Sequence, residues 1–183
     1  MNAYLVFLDE SGILMAPLVR RTWGPRGHTP VLYQKTTSRK KVSVIAVLCI
    51  APKRNRLHLY FRLHTDANVN AVLVVEFLQN LVRQLKAPIV MVWDRFLPHR
   101  SMRVGSFAHH HRLHIYYFPP YAPELNPVEN VWSYVKMNPM ANVTTSEVDS
   151  LASITRHHVK SLQHKQNLLR SFFKKSRLPL CLN

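Results

Sequence analysis

At 183 residues, with 47% hydrophobic residues and only 4 glycines, the chain is long enough for one buried core, too short for two independent domains, and unlike a disordered polymer. Lys and Arg number 25 against 9 Asp and Glu, a formal charge of +16 that points to a polyanionic partner, nucleic acid first. No apolar run reaches the roughly 18 residues of a membrane span, no signal-peptide pattern opens the chain, and Cys49 and Cys181 have no CxxC spacing, so an intracellular protein with reduced thiols and no membrane or cysteine-zinc role is expected.

In chain order, residues 4–9 form a short apolar run ending on Asp9, and residues 42–50 and 56–63 read as further strands, the last alternating at Leu57, Leu59 and Phe61. Between them, residues 20–30 have the Trp, Gly and Pro composition of a loop, and residues 35–41 read as a basic turn. Residues 68–85 place Val74, Leu78, Leu81, Val82 and Leu85 on one helical stripe, with Asp66 or Asn68 as the cap. Residues 88–93 are again continuously apolar, end on Asp94, and read as a central strand covered on both faces.

Residues 99–111 have helical character, residues 113–118 read as a strand, and residues 119–127 hold four prolines in a rigid loop. A helix follows, with Asn126 as N-cap, Pro127 at its first position, and Val128, Val131, Trp132 and Val135 on its apolar face. A last helical region, about residues 144–173, begins with Thr144 and Glu147 at capping-box spacing and leads to a basic tail at residues 174–177. There is no internal repeat and no linker. The order of three strands, helix, strand, helix, strand and helices predicts an α/β sheet with helices packed on it.

Asp9 and Asp94 each close a predicted strand and Glu129 sits in the first turn of a predicted helix, so a rigid scaffold can fix all three acids. Hard cations such as Mg²⁺ take oxygen ligands, a few carboxylates completed by waters and substrate phosphates. Two such ions can activate a nucleophile and stabilise the leaving oxygen in phosphodiester cleavage. Simpler roles compete. Strand-end acids often serve turns, and Asn126 with Glu129 three residues later has the form of a capping box, which alone would account for Glu129.

Further residues suit DNA contact. Trp23, Arg26 and His28 sit in the first loop, where Trp23 either stacks on DNA or pins the loop to the core. Arg95, His99 and Arg100 either clamp phosphates beside Asp94 or form a solvated basic helix start. His109, His110, His111 and His114 suggest either a transition-metal site or, as preferred here in the absence of flanking cysteines, basic surface. Glu10 adjoins Asp9, but strand alternation sends it to the opposite face, which makes it a weaker ligand candidate.

The segment Pro119-Pro-Tyr-Ala-Pro-Glu-Leu-Asn-Pro-Val-Glu-Asn-Val-Trp132 resembles the signature of mariner-superfamily transposases, in which a proline-rich loop leads into the helix bearing the third catalytic acid. Val90-Met-Val-Trp-Asp94-Arg-Phe-Leu-Pro-His99 is similar to that family's second catalytic strand, and Val6-Phe-Leu-Asp9-Glu-Ser-Gly12 to its first. The 34 residues between Asp94 and Glu129 match the branch whose third acid is glutamate, and Arg21-Thr-Trp-Gly-Pro-Arg-Gly-His-Thr-Pro30 resembles a loop of bacterial insertion-sequence members.

The resemblance implies a ribonuclease H-like fold: a mixed five-stranded sheet with helices on both faces, its first three strands a meander. The whole of 1–183 would be a single DDE catalytic domain, with a core of about residues 4–140 and C-terminal helices over about 144–173. It implies Asp9, Asp94 and Glu129 as ligands of two Mg²⁺ ions, with Mn²⁺ able to substitute. Trp23, Arg26, Arg95, His99, Arg100 and Lys136 are the expected DNA contacts. The implied activity is cleavage at transposon ends and strand transfer into target DNA, commonly at TA, by a homodimer on DNA in a prokaryotic cytoplasm. Relatives carry helix-turn-helix domains ahead of the first catalytic strand, which begins here within a few residues of Met1. The expectation is a truncated gene, a catalytic domain alone, or a split gene whose partner polypeptide binds DNA. Other readings are a catalytically inactive DNA-binding relic and a ribonuclease H-like nuclease of other specificity.

Overall fold

The computed structural model describes residues 2–16, 18–33, 40–111, 113–180 and 182. Strands β1 (Tyr4–Leu14), β2 (Lys41–Ile50) and β3 (Leu57–Thr65) pair as an antiparallel meander. Strands β4 (Ile89–Trp93) and β5 (His114–Tyr117) add in parallel on the other side of β1, giving the order β3-β2-β1-β4-β5. Parallel neighbours need crossovers, and helices α1 (Ala71–Gln84) and α2 (Met102–His110) supply them. Helices α3 (Pro127–Met137), α4 (Val148–Leu162) and α5 (Gln166–Lys175) complete the chain.

The helices divide between the two faces of the sheet. Val74, Phe77, Leu78 and Leu81 of α1 and Val104 of α2 pack against Val6, Leu8, Ile45 and Val47. On the opposite face, Val128, Val131, Trp132 and Val135 of α3 join residues of α4 and α5 over Phe7, Val44, Ala46 and Leu48. Successive strand residues therefore serve different cores, which is why β2 is apolar and buried almost throughout. The same alternation sends Asp9 toward α3 and Glu10 toward α1 and α2.

Several local expectations need correction. Strand β1 continues to Leu14, so Asp9 lies within it; pairing of residues 10–14 with β2 sustains the strand through the polar Glu10-Ser11-Gly12 step. The parallel pairing with β4, however, ends at Phe7, so Asp9 stands where β1 and β4 part. Helix α1 is capped by Asn70, whose Oδ1 accepts from the N–H groups of Val72 and Leu73 at 3.0 and 3.1 Å. Asp66 is instead left-handed (φ 49°) with its N–H on the Lys41 carbonyl, closing the β3 end.

The Thr144–Glu147 capping box does not form. Helix α4 begins at Val148 after Glu147, and the hydroxyl of Thr145 bonds Glu147 instead. The last helical region is two helices, and Lys174 and Lys175 belong to the final turn of α5. Gln163 and Gln166 at the break bond the edge strand: Gln163 donates to Leu59 O, and Gln166 both donates to Leu57 O and accepts from Leu57 N–H. These amides cover an edge that would otherwise invite pairing with another chain. The basic turn at 35–41 falls outside the described residues except for Lys40 and Lys41, as does Cys181, while Cys49 is a buried free thiol. Among the described residues, no helix is long and apolar enough to cross a membrane.

Candidate active site

Three acids from three elements line one cavity of about 320 Å³: Asp9 from β1, Asp94 just after β4 and Glu129 from the first turn of α3. Phe118, Pro119, Pro120, Tyr121 and Pro123 of the proline-rich loop wall the cavity, together with Arg95. The loop's four prolines limit its conformations. Tyr121 takes a left-handed φ of 58° at its tip.

Asn126 sets the position of Glu129. Its Oδ1 accepts from Val128 N–H at 3.2 Å, capping α3, while its Nδ2 donates to the carbonyl of Leu8 at 3.1 Å. Leu8 lies just past the last parallel pair of β1 with β4, so the amide fills the ladder position that β4 vacates. One buried side chain thus starts the helix and ties it beside Asp9. The capping box proposed for Glu129 is absent: the Asn126 N–H bonds Pro123 O, and among the described residues no hydrogen bond reaches the Glu129 carboxylate.

Asp9 is buried, and its Oδ2 accepts from the indole Nε1–H of Trp132 at 3.0 Å. Burial, then the charges of Glu129 and Glu10, push its carboxyl up to about 8. Burial also raises Glu129, against the nearby Lys136 and with the charge of Asp94. Asp94 is more exposed and moves the other way: a hydrogen bond from His99 leads the causes holding it below the usual carboxylate range, with Phe96 N–H adding to it.

His99 was expected at DNA and is not available to it. It is 1% exposed, its ring lies parallel to Trp93 with centroids 4.2 Å apart, and both ring nitrogens are engaged. Nδ1 lies 2.8 Å from Asp94 Oδ1 and Nε2 lies 2.8 Å from Glu10 Oε1. Carboxylate oxygens accept, so both nitrogens carry hydrogen. Burial alone would lower the imidazolium, but bonds to Asp94 and Glu10 outweigh it and raise His99 to about 9. The fold explains the surprise: a 3-10 turn, Leu97–Arg100, with Pro98 as its second residue, folds His99 back beneath Asp94.

The other candidates sit as follows. Arg95, exposed, lines the acidic cavity with its guanidinium 6.0 Å from the Tyr117 ring centre. Arg26 and Arg100 are exposed and Lys136 is partly buried. Trp23 is 99% exposed, so the reading that it pins the loop to the core is wrong. His109, His110, His111 and His114 are exposed, and among the described residues no three His, Cys, Asp or Glu side chains form a ready metal cage.

The three carboxylates nonetheless have the donor chemistry of a hard cation site. Such ions are commonly held by one or two carboxylates, with waters and substrate phosphates completing the shell, so a closed cage of protein ligands is not required. Asp9 and Asp94 each have one oxygen held by a ring N–H, the Glu10 N–H also bonds the Asp9 carboxylate, and Asp94 Oδ2 is left without a hydrogen bond from the described residues. Burial leads the causes that raise Asp9 and Glu129, and the repulsion that adds to it, from Glu129 and Glu10 on Asp9 and from Asp94 on Glu129, is what a divalent cation would relieve.

The family model described as DDE superfamily endonuclease matches residues 4–152. Among solved structures, the mariner Mos1 paired-end complex with Mg aligns with a TM-score of 0.65 at 16% identity, covering 93% of this chain and 52% of that one. The Mos1 paired-end complex with Mn aligns at 0.61 and 16%, covering 94% and 56%. The Mos1 catalytic domain aligns at 0.54 and 12%, covering 94% and 81%. The chain thus spans about half the length of the Mos1 chains in the paired-end complexes. These likenesses show the expected ribonuclease H-like fold. No curated relative matches the chain.

Proposed function

The chain belongs to the DDE superfamily endonucleases, and from that premise we propose that it is a transposase catalytic domain that cuts DNA and joins strands, with Asp9, Asp94 and Glu129 as its catalytic acids. The observation that carries this reading is the meeting of those three acids, from β1, the end of β4 and α3, in one cavity of a strongly basic protein.

The acids would hold two Mg²⁺ ions, or Mn²⁺ in their place; when bound, such ions supply Lewis acidity and an activated oxygen nucleophile at the phosphodiester. The protein's own part is positional. Trp132 fixes the rotamer of Asp9, His99 and Phe96 fix Asp94, and Asn126 fixes the helix that carries Glu129. The proline-rich loop keeps the cavity open to a DNA strand on the side of Arg95. Phosphates are held by Arg95, Arg100, Arg26 and Lys136, and the exposed Trp23 offers a stacking face.

Mos1 forms paired-end complexes. By analogy, this chain acts as two copies on a pair of transposon ends and inserts at a TA-containing target. Its source would be a bacterial insertion sequence, as the loop at residues 21–30 suggests.

The test is nicking of supercoiled plasmid in Mg²⁺ or Mn²⁺ by the wild-type protein and Asp94→Asn. The variant is expected to keep its fold and DNA affinity and to lose nicking. Retained nicking would refute the assignment.

A further inference from the structure

We propose that Glu10 and His99 are positioning residues for Asp94, so that the adjacent acids Asp9 and Glu10 both serve the site, one from each face of β1. The inference rests on the reading of Asp94 as a metal ligand given above.

Asp94 follows the last residue of β4 and its side chain is 54% exposed, so on its own it would sample several rotamers. Two donors converge on Oδ1: Phe96 N–H at 3.0 Å and His99 Nδ1 at 2.8 Å. That leaves Oδ2 as the oxygen available to the cavity. His99 is held in turn by the parallel indole of Trp93 and, at its far nitrogen, by Glu10 Oε1. Glu10 lies 89 positions away in sequence but on the strand that pairs with β4. A rigid line therefore runs from β1 through His99 to the carboxylate at the end of its neighbour.

Stability is a poor explanation for this line. Burying ionised groups is costly, and replacing a buried ion pair with well-packed apolar residues is often neutral or stabilising. A fully buried His99 ring and a Glu10 side chain only 12% exposed are better accounted for by what they orient. Hydrogen-bonded partners standing behind metal-binding carboxylates have this role generally, and their loss typically weakens metal binding or activity by about 10–100-fold.

The experiment is Mn²⁺ titration of the full chain without DNA, followed by electron paramagnetic resonance, on wild type, Glu10→Ala, Glu10→Gln, Asp94→Asn and the double variant Glu10→Ala/Asp94→Asn. Glu10→Ala is expected to raise the Mn²⁺ Kd by about 10–100-fold, and Glu10→Gln, which keeps an oxygen for Nε2–H, to recover most of that loss. In the Asp94→Asn background, Glu10→Ala is expected to have no further effect, because it acts through Asp94. An equal effect in both backgrounds, or none in the wild type, would overturn the positioning role even if Asp94→Asn itself weakens Mn²⁺ binding. If Asp94→Asn leaves Mn²⁺ binding intact, the reading of the site fails and this inference with it. A loss of thermal stability without a change in Kd would reduce Glu10 to a structural residue and also overturn the proposal.

Discussion

The indole Nε1–H of Trp132 donates to Asp9 Oδ2 at 3.0 Å, joining the helix that carries Glu129 to the strand that carries Asp9. The contact orients one candidate ligand and fixes the distance to another. Replacing Trp132 with Phe keeps most of the buried ring and removes the donor. The loss is expected to cost about 1–3 kcal/mol in urea denaturation, the range for a hydrogen bond to a charged or buried group. Nicking should fall by a larger factor than DNA affinity. Equal losses in both would mean that the contact serves packing alone.

Asn126 is a cap and a tether at once, and two substitutions separate those roles. Asn126→Asp keeps an oxygen for Val128 N–H but loses the donor to Leu8 O, whereas Asn126→Ala loses both. The alanine variant is expected to lose about 1 kcal/mol from the cap and a further 1–3 from the stranded Leu8 carbonyl. The aspartate variant should spare the cap, yet bring a carboxylate against Leu8 O and the acidic cavity and so lower nicking. Chemical denaturation and plasmid nicking of the pair check both statements.

Asp9 predicts how stability depends on pH in the metal-free protein. Burial, Glu129 and Glu10 raise its folded-state pKa to about 8, above the roughly 3.9 of an unfolded chain. A raised carboxyl contributes stability that is fully present below about pH 4, declines as pH rises and is gone above about pH 8. Relative to Asp9→Asn, wild-type protein in chelator should therefore lose melting temperature between pH 5 and 8.5. Adding Mn²⁺ should reverse the loss for wild type and not for the variant. Parallel melting curves across that window would show that Asp9 is ionised at no cost.

The basic surface predicts steep salt dependence of DNA binding. A protein that neutralises about 6–10 phosphates loses roughly 10³–10⁵ in affinity between 50 and 200 mM salt. Arg95→Ala and Arg100→Ala should each lower the slope of log K against log salt by about 1, and His99→Gln should leave it unchanged because His99 is buried. Fluorescence anisotropy on a short duplex measures all four proteins. A flat salt response would remove these residues from the DNA interface.

How much of this was legible in the sequence depended on whether the signal was local. Continuous apolar runs ending on Asp9 and Asp94 marked two sheet strands because helices cover both faces, and Asn126-Pro127 marked the start of α3 because capping chemistry is confined to a few neighbouring residues. The role of His99 was not legible. Between Arg95 and Arg100 it reads as solvated basic surface, and only the 3-10 turn and a partner on β1 bury it. The end of β1 was obscured by Ser11 and Gly12, whose strand conformation comes from pairing with β2 rather than from their own preference. Glu10 was placed correctly on the opposite face from Asp9, but alternation does not reveal that a histidine would carry its influence back to Asp94.

The most direct measurement is anomalous diffraction from crystals of the protein soaked in Mn²⁺. The account predicts a peak in the cavity between β1, the end of β4 and α3, with oxygens of Asp9 and Asp94 in its coordination shell and Glu129 facing the same density. Manganese found only at the exposed histidines of residues 109–114, with the three acids bare at concentrations that saturate those histidines, would contradict it.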